Sequence, residues 1–228
     1  MPILPQETSL FPDDLLTQAE ADLAACTPST DDAPRWWAIY TRSRQEKQLM
    51  RKLLALETAF CCPTIERRYR SPNGRVRRVY GPLFSNYVFV YGDGAARYAA
   101  LTTNCVSQCQ QVDDGLGLTQ DLAQIQRLIE TGEPLSPESR LLPGDLVRVK
   151  TGSFKGFEGA ILQRKNETRL LVAVNFMQQG ASVLLQDCEL EYLGPPCPQV
   201  KTLEKTKGSI DVVYNPREVR QKASLRNR

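Results

Sequence analysis

The chain of 228 residues contains no histidine. That removes the commonest general base, the commonest metal ligand and the side chain that titrates near neutrality. Seven cysteines stand at 26, 61, 62, 105, 109, 188 and 197, with no Cys-x-x-Cys among them. Without histidine to complete a set, neither a structural zinc site nor any other cofactor is expected. Cys105 and Cys109, four residues apart, read as small packing residues. Phosphate-loop glycines and a carboxylate pair at catalytic spacing are also missing, so enzyme chemistry is not expected. No apolar stretch approaches the roughly 20 residues that cross a bilayer. The start of the chain lacks the basic segment and apolar run of a signal peptide. The expectation is a cytoplasmic, monomeric protein with reduced thiols and no membrane contact.

What charge there is lies unevenly. Residues 1–34 carry seven acids and no lysine or arginine, whereas residues 194–228 carry eight basic residues and three acids. The formal net charge of +3 therefore hides an acidic head, a basic body and a basic tail. The head, 1–34, reads either as a disordered leader or as a short helix near Asp13–Ala25, with Leu15, Leu16, Ala19 and Leu23 on one face. The tail, 194–228, is Pro-rich and then basic, and either adds non-specific affinity for nucleic acid or keeps the protein soluble.

Between them the apolar pattern predicts a sheet packed with helices. Arg35–Thr41 is a strand with an unbroken apolar run, covered on both faces. Gln45–Glu57 is a helix with Leu49, Leu53 and Leu56 on one face, Met50 and Leu54 beside them, and a basic opposite side. Tyr87–Tyr91 suits a buried strand. Ala95–Leu101 is a short helix, Val106–Val112 a strand, and Gln120–Glu130 a helix capped by Thr119. Residues 131–143 hold three prolines and read as a linker. Beyond it, short strands at Leu146–Val149, Ala160–Gln163, Leu170–Phe176, Ser182–Leu185 and Glu189–Tyr192 predict a small closed barrel. The fold class is α+β, with an antiparallel sheet and helices over 35–130 and a barrel over 144–193.

The most unusual stretch joins the second and third strands of the sheet. From Arg67 to Arg78 it holds six arginines in twelve residues, namely Arg67, Arg68, Arg70, Arg75, Arg77 and Arg78, and no acid. Asn73-Gly74 at its centre is a strong hairpin signal, because both central residues of a type I′ turn need positive φ. Arg67–Tyr69 and Arg75–Val79 should pair. One or two charges protect a sheet edge from aggregation. Six suit a polyanion, whose phosphates the guanidinium groups match.

Two segments, taken together, resemble the NusG family of bacterial transcription elongation factors. One comprises Arg35-Trp36-Trp37 before the first helix and Pro82-Leu83-Phe84-Ser85-Asn86-Tyr87 before a buried strand. The other is similar to the KOW motif: Pro143-Gly144-Asp145-Leu146-Val147-Arg148-Val149, then Thr151-Gly152-Ser153-Phe154-Lys155-Gly156-Phe157-Glu158-Gly159. The resemblance covers about Arg35 to Leu193. It implies an amino-terminal NGN domain, a KOW barrel, and a factor without chemistry of its own. It also implies docking on the β′ clamp helices of RNA polymerase through a surface that Trp36, Tyr40, Phe84 and Tyr87 match; the Thr-rich patch that touches the β subunit in RfaH is not evident at Ala95–Leu101, so that contact is not carried over. The glycines Gly152, Gly156 and Gly159 would turn the barrel, and Phe154, Phe157 and Phe176 would support its partner surface. Arg42 and Arg44 match a basic surface facing non-template DNA, and the arm would reach DNA or nascent RNA near the bubble.

Asn86 in the turn resembles the specialised paralogues typified by RfaH. Asn175-Phe176-Met177-Gln178 departs from the housekeeping pattern, where an apolar residue precedes Phe-Gly-Arg and serves Rho or a ribosomal protein. An operon-specific antitermination factor is the expectation. The alternatives are a general NusG that couples polymerase to Rho or ribosomes, and a KOW protein that binds structured RNA.

Overall fold

The computed structural model describes residues 7–25, 33–70, 76–139, 144–164, 167–186 and 188–194. The Asn73-Gly74 turn and residues 195–228 lie outside the described residues, as do Cys26 and Cys197. Eleven elements precede the second domain: β1 (Leu10–Phe11), α1 (Leu15–Ala25), β2 (Arg35–Thr41), α2 (Glu46–Ala55), β3 (Phe60–Cys61), β4 (Thr64–Arg70), β5 (Val76–Pro82), β6 (Tyr87–Gly92), α3 (Gly94–Thr102), β7 (Val106–Gln111) and α4 (Gly115–Glu130). Five strands form one antiparallel sheet in the order β1-β3-β6-β2-β7, and β4 pairs with β5 as a separate two-stranded ribbon.

The period-2 pleat of β2 divides its side chains between two cores. Trp36 and Ala38 join Phe89 and Tyr91 on the face covered by α1 and α4. Ile39 joins Val88 and Val90 on the face covered by α2 and α3, with Leu49, Met50 and Leu53. The apolar run in β2 is continuous because both faces are covered.

Four readings change at this level. The leader is part of the fold: β1 extends the sheet, and Leu15, Leu16 and Ala19 of α1 are buried. On α2 the buried stripe is Leu49, Met50 and Leu53, while Leu54 and Leu56 are exposed; the helix ends at Ala55, so Leu56 falls outside its apolar stripe. Helix α4 starts at Gly115. Its cap is Asp114, whose carboxylate accepts the Gly117 amide at 2.8 Å. Thr119 is internal instead: its hydroxyl donates to the Gly115 carbonyl and accepts the Trp36 indole N–H at 2.8 Å. Lastly, the segment read as linker contributes a strand, β8 (Ser136–Glu138).

The second domain adds β9 (Leu146–Val149), β10 (Glu158–Arg164), β11 (Glu167–Val174), a 3₁₀ turn at Asn175–Met177, β12 (Gln179–Leu184) and β13 (Leu190–Gly194). Its strand order is β13-β9-β10-β11-β12-β8. The glycines behave as a small barrel requires. Gly152 and Gly156 have φ of +84° and +87°, and a Cβ on Gly159 would stand 2.3 Å from the Leu171 carbonyl oxygen.

Candidate functional site

The cross-strand pairs of β2 and β6 build the first part of the site. Trp36 faces Tyr91, Ala38 faces Phe89 and Tyr40 faces Tyr87. Tyr40 and Tyr87 meet edge to face, with ring centroids 5.3 Å apart, and Tyr87 stacks on Phe89. Such aromatic pairs contribute about 0.5–1.5 kcal/mol beyond the area they bury. At this end of the sheet the covering helices run out. Tyr40 is 39% exposed and Tyr87 is half-buried, whereas Trp36 is fully buried.

The turn into β6 is held from below. Asn86 has φ +66°, a conformation that Asn tolerates because its short polar side chain bonds locally. Its N–H donates to Glu46 Oε1 at 2.8 Å, and its carbonyl accepts the Thr41 N–H at 2.8 Å. Glu46 is itself buried in the first turn of α2. A carboxylate placed there fixes the turn that presents Tyr87, next to the exposed Arg42 and Arg44. Its signal in the sequence was a charged residue three positions before Leu49, on the apolar stripe.

Of the four aromatic residues matched by resemblance, the structure brings Tyr40 and Tyr87 together at the surface. It places Trp36 and Phe84 in the core, Phe84 at 3% exposure. Phe84 precedes the turn and points under it, while the exposed turn residue is Ser85. Neither buried ring is available to a partner in this conformation.

The ribbon pairs as expected and is longer, from Thr64–Pro82 to Arg70–Val76. Its register sets Arg68 opposite Arg78 and Tyr69 opposite Arg77. Like charges directly opposite are destabilising without an intervening anion. Two arginines also have internal partners: Arg67 donates to the Pro82 carbonyl at 3.0 Å, and Arg78 lies 3.4 Å from Glu66. Arg67 thus ties the base of the ribbon. Arg75 and the side chains of Arg68, Arg70 and Arg77 lie outside the described residues.

The barrel sits against α4. Asp121, Gln124 and Arg127, spaced three apart on one side of that helix, each meet it. Asp121 accepts the Asn175 N–H at 2.8 Å and its side-chain amide at 3.1 Å. Gln124 donates to the Glu158 carbonyl at 2.9 Å, and the Arg127 guanidinium lies 5.3 Å from the centroid of the Phe157 ring. Phe154 and Phe157 are buried and pack edge to face, while Phe176 is half-buried beside the same core. These α4 contacts had no signal in the sequence, since polar residues on a helix read as a solvated face.

Among the described residues the five cysteines, Cys61, Cys62, Cys105, Cys109 and Cys188, are free. Burial pushes the Cys61 thiol up to about 12 and Cys62 further still, so both stay protonated and unreactive. No helix among them is long and apolar enough to cross a membrane.

The fold and these surfaces define a two-domain protein: a helix-covered sheet bearing a basic ribbon, followed by a small barrel. Residues 34–128 match the family described as transcription termination factor nusG, and residues 143–174 match the KOW motif. The chain thus resembles the NusG family of transcription termination and antitermination factors over residues 34–128, followed by a KOW motif. The transcription termination/antitermination protein NusG of Pseudomonas aeruginosa is 27% identical over 179 residues, covering 70% of this chain and 98% of the relative. A solved structure described as the domain interaction in Thermotoga maritima NusG is 19% identical with a TM-score of 0.38, covering 72% of this chain and 99% of that one. β1 and α1 precede the family match.

Proposed function

We propose that this protein is an operon-specific antitermination factor of the NusG family that docks on the β′ clamp helices of RNA polymerase and contacts nucleic acid beside them. The observation that carries this is the Tyr40–Tyr87 pair, exposed at Tyr40 and half-buried at Tyr87, on a turn fixed by Glu46 and close in sequence to Arg42 and Arg44. Tyrosines with one open face suit an apolar anchor that keeps its hydroxyls wet. The ribbon supplies the cations for a phosphate backbone, non-template DNA or nascent RNA. Docking across the clamp favours its closed state by differential affinity, which resists pausing and termination. Such a factor acts in the cytoplasm.

The role at chosen operons is supported by Asn175. It is polar where the resemblance expects an apolar contact for Rho or a ribosomal protein, and Asp121 already holds it. The barrel leaves Tyr40 open while it sits on α4.

The test uses purified bacterial core RNA polymerase and the full chain. Wild type should be retained on polymerase, and a Tyr40→Ala, Tyr87→Ala variant of unchanged circular dichroism should lose at least tenfold in affinity. Equal retention of the two would refute docking through this pair. Retention on a structured RNA in the absence of polymerase binding would favour an RNA-binding KOW protein instead.

A further inference from the structure

The strand β8 lies between the two domains in sequence and belongs to the second in space. It pairs antiparallel with β12: Ser136 stands opposite Ser182, Pro137 opposite Ala181 and Glu138 opposite Gly180. Three residues make a short ladder, and Pro137 has no N–H to give to it. Side chains hold it more than backbone does. Glu138 is 7% exposed and accepts the Ser182 hydroxyl at 2.7 Å. Arg169 on β11 donates to the Ser136 hydroxyl at 2.9 Å, to the Ser182 hydroxyl at 3.1 Å and to the Ser182 carbonyl at 3.2 Å. A groove of about 490 Å³, lined by Pro134, Ser136, Arg169 and Leu184, runs alongside. The strand is thus attached by one compact polar chain and by Leu135, which packs against the core just before it.

The placement has a consequence for the tether between the domains. With β8 attached, residues 131–135 alone join α4 to the barrel, a five-residue span that reaches about 17 Å. With β8 released, residues 131–145 join α4 to β9, a fifteen-residue span that reaches about 50 Å. Attachment of β8 therefore decides how far the barrel can leave Asp121, Gln124 and Arg127.

We propose that β8 is a releasable latch. Closed, it caps the β12 edge of the barrel and shortens the tether, holding the barrel on α4. Open, it frees the barrel to move away and bares the β12 edge for strand pairing. The two events are coupled because one segment does both. Local concentration falls with about the −3/2 power of tether length, so tripling the tether lowers the barrel's concentration at α4 about fivefold.

The Asn175 N–H, which donates to Asp121 across the domain boundary, reads this directly. In the full chain, Ser136→Ala with Glu138→Ala removes the latch contacts. Amide exchange at Asn175 should then rise about fivefold, together with faster exchange along β12. A Ser136→Cys, Ser182→Cys variant locks the strand, since these residues stand directly opposite. Oxidised, it should slow exchange at Asn175 relative to its reduced form. Faster exchange along β12 with none at Asn175 would overturn the coupling and leave β8 as an edge cap only. Should the unlatched variant fail to fold, the locked one decides: equal Asn175 exchange in its oxidised and reduced forms overturns the proposal.

Discussion

Replacing Phe84 by Ala should unfold the amino-terminal domain more readily rather than remove a contact from its surface. The ring is 3% exposed and sits in the core cluster with Leu83, Phe89 and Ile65. Truncating a buried phenylalanine costs about 3–5 kcal/mol, from lost transfer energy and the cavity left behind. A typical domain has about 5–15 kcal/mol in total. With a urea slope of about 2 kcal/mol per molar, the unfolding midpoint should fall by roughly 2 M. Both tryptophans, Trp36 and Trp37, lie on β2, so their fluorescence reports this domain and not the barrel. Tyr40→Ala, at a residue 39% exposed, should move the midpoint by less than about 0.5 M. If Phe84→Ala leaves the tryptophan transition where it is, the ring is not part of the core, and the assignment of the site to Tyr40 and Tyr87 alone is wrong.

Other perturbations separate backbone, thiol and charge effects. Gly159→Ala must push a Cβ against the Leu171 carbonyl and should lower the barrel's stability by more than Gly156→Ala, whose Cβ meets open space and costs about 1 kcal/mol through its positive φ; barrel unfolding followed by circular dichroism ranks the two. Cys61 and Cys62 have folded-state thiols raised by burial, so their contribution is fully present below the ordinary value near 9 and is lost as pH rises toward 12. Stability should decline over that window, and Cys61→Ala should flatten the decline. Removing Arg68 and Arg70 together should lower affinity for DNA or RNA and make the slope of log affinity against log salt shallower by up to about 2; an unchanged slope would mean that the ribbon does not meet phosphate.

The periodic elements were legible because pattern and propensity agreed. The two faces of β2, the Leu49–Leu53 stripe, the paired arms of the ribbon and the barrel strands all follow from spacing alone. Thr119 shows where the pattern misled. A threonine before an apolar periodic run is a fair cap, but Asp114 lay one turn earlier behind a glycine, where it read as the end of a strand. Ser136-Pro137-Glu138 shows a different failure. Proline marks a linker by composition, and only the tertiary partners Arg169 and Ser182 make an edge strand of it. Long-range polar contacts of this kind, like Asp121 with Asn175, carry no local signature.

The aromatic site illustrates why a motif can locate a surface without saying which of its residues are open. Trp36, Ala38 and Tyr40 point to the same face of the sheet, and all three belong to one apolar run. Their exposures are 0%, 4% and 39%. What differs is the cover above them. α1 and α4 lie over the Trp36 end, where Leu23 approaches Gly115 and Thr119 takes the indole N–H, and they leave the Tyr40 end bare. Part of that cover, α1, lies outside the segment that matches the family. A site defined by the end of a helical cover is therefore set by the acidic leader as well as by the aromatic motif. Shortening the leader should uncover the Trp36–Tyr91 pair, whose centroids are 5.0 Å apart, and extend the apolar surface along the strand. Deleting residues 1–25 should thus raise binding of an apolar dye and red-shift the emission of Trp36; a chain that keeps its emission maximum without the leader would show that α4 alone shields the ring.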